Sequence, residues 1–306
     1  ALDDEVRTVS SSGGIFSLFA KEVLKSGGVV YGAAFNRNYI VEHKKITLIK
    51  ELGELQGSKY VQSEIGDTYS EIQEELNSGK LVYFSGTPCQ VNGLNSFLRK
   101  DYNNLICQDI VCHGVPSKKM WLHYLKQFEI QNDTKISFRD KTTGWESYSF
   151  MIRQKNKCFK QLAYDNMYLR SFTRNFTLRP SCYACKSKGI NRQSDITLGD
   201  FWGIKNVCPE MYDNQGVSLV IINSDKGQRL FNQIAGNMRF KLTDFNKSIK
   251  ENPAYSISAE RPENRERFIQ EIFKERYNKV AFKYMKDPLD LRIKIRISRW
   301  LNKIKK

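Results

Sequence analysis

Apolar positions along the chain recur with two periods, and the switching between them lays out the elements. Residues 10–27, SSSGGIFSLFAKEVLKSG, set Ile15, Phe16, Leu18, Phe19, Val23 and Leu24 at helical spacing, between a Ser-Gly start and the Gly27–Gly28 exit, which predicts a helix. VVYGAAFN and YIVEHKKI then alternate with a period of two about Arg37 and Asn38, as a β-hairpin does. A helix over 67–78 comes next, then the short strand LVYF, the turn SGTPCQ and a helix from near Gln90. LICQDIVCHGVPS repeats that order of strand, Gly-containing turn and helix, the helix running from Ser117 to Phe128. KISFRDKTTGWESYSFMIRQ reads as two strands joined across Lys141 to Gly144, and a helix carrying Tyr164, Met167, Tyr168, Phe172 and Phe176 follows. DITLGDFWGI is a buried strand that ends in a Gly-flanked acidic turn, and GVSLVIINSDKGQRLFNQI is a strand, a Ser-Asp turn and a helix. PENRERFIQEIFKERYNKVAFKYM reads as one long charged amphipathic helix.

Strands alternating with helices predict an α/β fold of mixed α+β character: a mixed sheet flanked by helices, a Cys-rich loop region and a helical C-terminal tail. The expected division is an N-terminal α/β part over 1–135, a second part over 136–245, and a helical basic tail over 246–306. In that tail, PLDLRIKIRISRWLNKIKK places Leu291, Ile295, Ile297 and Leu301 to one side of a helix, with Trp300 and many Lys and Arg around them. A membrane-surface contact and a plain solvated helix are both open readings of it.

Composition narrows the class. With 306 residues, 40% hydrophobic and 12% aromatic, the chain has enough apolar mass for substantial cores. Asp3, Asp4, Glu5 and Arg7 exclude a signal peptide or membrane span at the start, and a beginning at Ala1 predicts a piece missing upstream. No apolar run approaches the roughly 18 residues of a spanning helix, so a soluble, cytoplasmic protein is expected. Seven cysteines, an odd number, point to metal or redox chemistry rather than a disulfide framework. The formal charge of +16 attracts anionic partners, but it is spread along the chain without a reading motif, so no nucleic-acid role is expected.

The chemistry concentrates in RPSCYACKSKGINRQSDITLGDFWG, Arg179 to Gly203, where Cys182 and Cys185 form a C-x-x-C pair ahead of a strand. Cys89 in FSGTPCQ and Cys112 in DIVCHGVPS occupy similar Gly- and Pro-bearing turns. Four thiolates on backbone able to bend around a core meet the needs of a [4Fe–4S] cluster. Tetrahedral zinc is the rival for the same four sulfurs. Cys107 reads as strand packing, Cys158 as an incidental surface thiol, and Cys208 as a loop residue. A thiolate–imidazole nucleophile at Cys112 and His113 is disfavoured, because neighbours on extended backbone point to opposite sides. Two further stretches suit an anion. The Ser-Gly start of the first helix frees backbone N–H groups for phosphate, with ordinary capping by Ser12 as the plainer reading. ELGELQGSKYVQS offers Lys59, Tyr60 and Ser63, and a solvated connection is the plainer reading there.

Taken in order, SSGGIF, GSKYVQS, GTPCQ, CHGVPS, RPSCYAC and SDITLGDFWG resemble the coenzyme F420 hydrogenase/dehydrogenase beta-subunit family over about residues 8–225. The resemblance implies an α/β flavoprotein with FAD beside a [4Fe–4S] cluster, passing electrons between cluster and a small-molecule hydride donor or acceptor, F420 in archaeal members. A chlorophyll-derivative reductase is similar to the same group. Cys89, Cys112, Cys182 and Cys185 become the cluster ligands. Ser11, Ser12, Gly13, Gly14, Lys59, Tyr60, Ser63, Thr87, Gln90 and Trp202 become the FAD-contacting set, and His113 and Asp200 the catalytic candidates. On this reading 1–135 binds flavin and 136–245 binds cluster and flavin. The resemblance also implies a partner that donates or accepts electrons, ferredoxin-like or a hydrogenase-type subunit. Many bacterial relatives carry an N-terminal ferredoxin-like segment, and nothing of that kind precedes Ser10. The implication is that it was removed or that electrons arrive from a separate protein. The basic tail resembles bacterial relatives found with surface-polysaccharide enzymes more than a hydrogenase subunit; the expected location is the cytoplasm, with a peripheral contact at the inner membrane face as an open reading. The alternative function is a non-catalytic four-cysteine metal-binding partner that docks on membrane or polyanion in such a surface-polysaccharide pathway.

Overall fold

Parallel strands buried on both faces need unbroken apolar runs, and VVYGAAF, VYFS and the start of LICQDI supply them. The computed structural model describes residues 1–287; the basic segment from Pro288, with Leu291, Ile295, Ile297, Trp300 and Leu301, lies outside the described residues. The first half runs α1 (Asp4–Val9), α2 (Ile15–Lys25), β1 (Val29–Phe35), β2 (Val41–Ile46), α3 (Leu52–Leu55), α4 (Thr68–Asn77), β3 (Val82–Ser85), α5 (Pro88–Leu98) and β4 (Leu105–Ile110). It continues through α6 (Lys118–Leu125), β5 (Lys135–Asp140), β6 (Ser149–Arg153), β7 (Cys158–Leu162), α7 (Met167–Thr173), β8 (Ile196–Asp200), α8 (Ile204–Val207) and β9 (Ser218–Ile222). Four helices close it: α9 (Asp225–Ile234), α10 (Phe245–Ile249), α11 (Arg265–Ile272) and α12 (Tyr277–Met285).

The larger sheet has the order β2-β1-β3-β4-β8-β9. Its four inner strands are parallel, and the two edge strands are antiparallel to their neighbours. One face packs Val30, Tyr83, Ile106 and Ile196 under α2 and α9. The other packs Tyr31, Phe84 and Leu105 under α4 and α5. The strands therefore come from both sides of residue 135, because β8 pairs in parallel with β4. The parallel order also sends the turns after β3, β4 and β8 to one edge. Open α/β sheets place their ligands outside that carboxyl edge.

A second, antiparallel sheet, β5-β6-β7, builds its own core with α6, α7, α11 and α12. Trp121, Tyr124, Phe138, Phe150, Tyr168 and Tyr277 are fully buried there. Trp121 stands 5.0 Å from Phe138 and 5.3 Å from Tyr168, ring centre to ring centre, and its Nε1–H donates to the Tyr39 carbonyl at 2.7 Å. The expected single helix over 262–285 is two, α11 and α12. Phe268 and Ile272 on one and Tyr277 and Val280 on the other enter this same core, so the chain has to turn back between them. The helix expected from residue 10 begins only at Ile15: Gly14 sits at φ +89°, a left-handed conformation that glycine adopts freely, and no side chain caps the helix. Among the described residues no helix is long and apolar enough to cross a membrane.

Candidate functional site

At the carboxyl edge of the large sheet lies a cavity of about 570 Å³. Its floor is the set of turns after β3, β4 and β8, and the second core contributes Arg139, Tyr148 and Phe172 to its wall.

The four cysteines arrive from three segments. Cys89 is exposed in the first turn of α5, with Thr87 Oγ1 3.2 Å from its sulfur. Cys112 follows β4, while Cys182 and Cys185 lie in and just after the short helical turn Pro180–Ala184. Two contacts staple the Cys112 loop to that turn: Pro116 bridges Leu178, and Arg179 N–H donates to the Val115 carbonyl at 3.0 Å. Gly114 makes the approach feasible. It adopts φ +149°, and a Cβ there would stand 2.8 Å from Leu178 Cδ1 and 3.4 Å from Cys182 Cβ. Burial pushes the Cys112 thiol up to about 12, and Cys89, Cys182 and Cys185 add to the rise. Cys182 is raised by burial and by Cys89 and Cys185, while the Val115 N–H aimed at its sulfur pulls the other way. The fold thus brings Cys89, Cys182 and Cys185 within electrostatic reach of Cys112. Among the described residues, no three His, Cys, Asp or Glu side chains converge tightly enough to hold a single metal ion. The remaining cysteines stay apart, with Cys107 and Cys208 buried in cores and Cys158 exposed on β7.

Around the cavity, many of the anticipated ligand-binding side chains also hold one another. Ser11 Oγ accepts from the Ser58 N–H at 2.7 Å and from the Ser58 hydroxyl at 2.8 Å. Gly13 N–H donates to Ser218 Oγ at 3.0 Å. Gln90 donates to Ser63 Oγ at 2.8 Å, and its amide oxygen accepts from Thr87 N–H at 2.9 Å and Thr87 Oγ1 at 3.0 Å, a capping arrangement that fixes the turn before Cys89. Lys59 donates to the Glu54 and Gln56 carbonyls, both at 2.9 Å. Its side chain is half-buried as a whole, but the ammonium is enclosed, and burial lowers it to about 7 against the opposing pull of Glu54. Tyr60 stacks on Phe172 at 4.8 Å.

His113 lines the cavity and bonds through Nε2 to Asn175 Oδ1 at 2.7 Å. The Asn175 amide is oriented by donation to the Glu260 carbonyl at 2.9 Å, so His113 Nε2 carries the proton in that bond. Burial lowers the His113 pKa, and Lys188 adds to the lowering. Asp200 has both oxygens engaged, one by an ion pair with Arg139 and the other by Trp145 Nε1–H at 2.9 Å. Trp202 stacks on Trp145 at 5.1 Å with the rings 9° from parallel, and at 38% exposure it still offers ring surface to the cavity.

Sequence reasoning missed Arg139, Tyr148, His43 and Asn252, all of which line the cavity. Nothing in KISFRDK marks Arg139 as more than a strand residue; it is buried because β5 abuts the other core, and its guanidinium lies 4.4 Å from the Tyr148 ring centre and 5.2 Å from that of Trp202. His43 stacks on Phe84 at 5.1 Å and directs Nε2 at the Ser85 carbonyl, 3.1 Å away. A carbonyl can only accept, so the proton is on Nε2 and Nδ1 is left as an acceptor. Four buried polar atoms on cavity-lining residues have no hydrogen-bond partner among the described residues: Ser12 Oγ, His43 Nδ1, Arg139 Nε and Asn252 Nδ2. Buried orphans of this kind cost about 1–3 kcal/mol each, so four around one cavity mark it as built for a polar occupant.

Comparison with known proteins bears on this arrangement. No curated protein matches the chain. Among solved structures, the chain is similar to one in a xenon-derivatised F420-reducing [NiFe] hydrogenase complex from Methanosarcina barkeri, at 14% identity and a TM-score of 0.54, over 89% of this chain and 90% of that one. At that identity the likeness is one of fold. Residues 79–248, more than half of the sequence and including Cys89, Cys112, Cys182 and Cys185, match the family described as the C terminus of the coenzyme F420 hydrogenase/dehydrogenase beta subunit, and the chain belongs to that oxidoreductase family.

Proposed function

We propose that this chain is an iron–sulfur flavoprotein oxidoreductase that passes electrons between a [4Fe–4S] cluster, FAD and a small-molecule hydride donor or acceptor. The carrying observation is the cavity at the sheet's carboxyl edge, with four unpartnered buried polar atoms around it and Cys89 and Cys112 on its wall.

Cys89, Cys112, Cys182 and Cys185 would hold the cluster. The donor set fits in kind: four thiols from three segments, with a backbone N–H aimed at one sulfur. The loop Ser11–Gly14, with Lys59, Tyr60, Ser63, Thr87, Gln90 and Trp202, would hold FAD. Ser12 and Asn252 offer unpartnered polar atoms to its edges, and Trp202 offers a ring face. When bound, a flavin exchanges two electrons as hydride on one side and single electrons on the other.

The chain's own residues set the conditions for that exchange. His113 keeps its proton at Nε2, against Asn175, on the cavity wall. Asp200 acts on the cavity through Arg139, whose Nε–H remains for an acceptor on the occupant. Phe172, Tyr60 and Tyr148 restrict water on the side of the second core. The electron partner on this reading is a ferredoxin-like protein or a hydrogenase-type subunit. Anaerobic purification tests the proposal: about four irons per chain, a broad absorption near 400 nm that bleaches on reduction, and FAD in the mass spectrum are expected. Colourless protein with about one zinc per chain and no flavin would overturn it in favour of a non-catalytic metal-binding partner.

A further inference from the structure

Lys188, three residues past the C-x-x-C pair, turns back to the thiol site. Its ammonium donates to the carbonyl oxygens of Cys112 and Ala254, tying the loop after β4 to the segment that also carries Asn252. Burial lowers its pKa, and the largest charges acting on it are those of Cys112 and Cys185, then the guanidinium of Arg192 and Cys182. Arg192 is already matched: it pairs with Asp109 at 3.1 Å, with both side chains almost fully buried, and lies over the Tyr255 ring at 4.4 Å. Lys188 is therefore a partly buried cation held against the Cys112 loop. A cation in such a place is stabilised as negative charge accumulates on whatever the thiols hold.

We propose that Lys188 is a positioning residue that sets the reduction potential of the four-thiolate centre, raising it with its fixed positive charge while its two hydrogen bonds seat the Cys112 loop. The inference rests on the cluster reading of the cysteines. Adding one electron, supplied by an external reductant or by the electron partner, adds one negative charge to the centre, and the neighbouring ammonium stabilises that form over the oxidised one. Net charge and hydrogen bonding around the sulfurs are among the terms that tune such centres.

The test uses the full chain, purified anaerobically as wild type, Lys188→Met, Lys188→Gln and Lys188→Arg. Iron and acid-labile sulfide are quantified, and the centre is titrated with mediators against its visible absorbance. Lys188→Met and Lys188→Gln should keep iron and move the midpoint to a more negative potential, and Lys188→Arg should stay near wild type. Neutral variants that lose iron while the Arg variant retains it would also bear out the need for charge at this point. Full iron loading with an unchanged midpoint in the neutral variants would overturn the inference, as would iron loss in the Arg variant. Wild-type protein without iron would instead refute the cluster reading on which the inference rests.

Discussion

Asp200→Asn tests whether the acidic turn after β8 supports the cavity or acts as a free base within it. Asp200 accepts from two donors, the Arg139 guanidinium and Trp145 Nε1–H, while an asparagine offers only one acceptor oxygen. The substitution therefore leaves either the indole N–H or the guanidinium facing an amide N–H. The Arg139 side chain is 3% exposed against 17% for Asp200, so water cannot replace the lost charge at the arginine. Breaking a buried pair from one side costs about 3–5 kcal/mol. Some of that is offset here by the Trp145 carbonyl, which accepts from Arg139 Nη2 at 3.4 Å, and by the two aromatic faces. Taking about 3 kcal/mol and roughly 2–4 °C per kcal/mol for a chain of this size, thermal unfolding should drop by about 6–12 °C. The assay is scanning calorimetry of wild type, Asp200→Asn, Arg139→Met and the double variant. The double variant should recover part of the sum, because it removes both charges together. A melting temperature for Asp200→Asn within about 2 °C of wild type, with strictly additive effects, would refute the account of Asp200 as Arg139's anchor.

Three other outcomes follow from the same geometry. Cys182→Ser should abolish iron binding and Cys158→Ser should leave it intact, because only Cys182 faces other thiols; equal iron in both anaerobic preparations would reject the ligand assignment. His43→Phe keeps the stack on Phe84 but removes the Nδ1 acceptor, so flavin should bind roughly tenfold more weakly by fluorescence titration, the worth of one buried hydrogen bond. The same residue carries a pH signature: burial lowers its ring from 6.5 to about 4, so the unfolded chain takes up the proton first and stability falls as pH drops from 6.5 towards 4. Asp287 gives a second, more acidic window in the same direction. Burial alone would raise it, but Tyr164, Arg170 and Arg174 hold it at about 2, so its contribution is intact above its ordinary 3.8 and is lost as pH falls through 2. Acid melts of wild type and Asp287→Asn should therefore converge only at the low end.

The elements were largely legible in the sequence because each buries a face of its own. The hairpin about Arg37 and Asn38 appears as β1 and β2, and Ser117 caps α6 with a hydrogen bond to the Met120 N–H. The turn settings of Cys89 and Cys112 were legible for a related reason: Gly and Pro mark backbone that leaves the sheet, and in a parallel sheet those exits share an edge. Long-range pairing was not legible. That β8 joins β4 across the whole of the second core depends on Gln108, Asp109 and Ile110 meeting Ile196, Thr197 and Leu198, and no local period encodes such a meeting. Arg139, His43 and Asn252 were missed for the same reason, since each is ordinary in its own segment and unusual only for what faces it. The break between α11 and α12 was hidden because charged residues keep a helical rhythm through the turn that the core requires.

Local charge at the site carries more meaning than the total of +16. Carboxylates on the cavity are few: Asp200 is consumed by Arg139, and Glu251 is the other. Against them stand Lys59, whose ammonium donates to two carbonyl oxygens, Arg179 beside Cys182, and Lys188 on the Cys112 carbonyl. Partly buried cations lower the stability of the empty fold, and an anionic occupant offsets that cost. A diphosphate-bearing flavin and a four-thiolate centre are both anionic. On the proposed reading, loading with flavin should therefore raise the melting temperature beyond what contact area alone supplies, and less so at high salt.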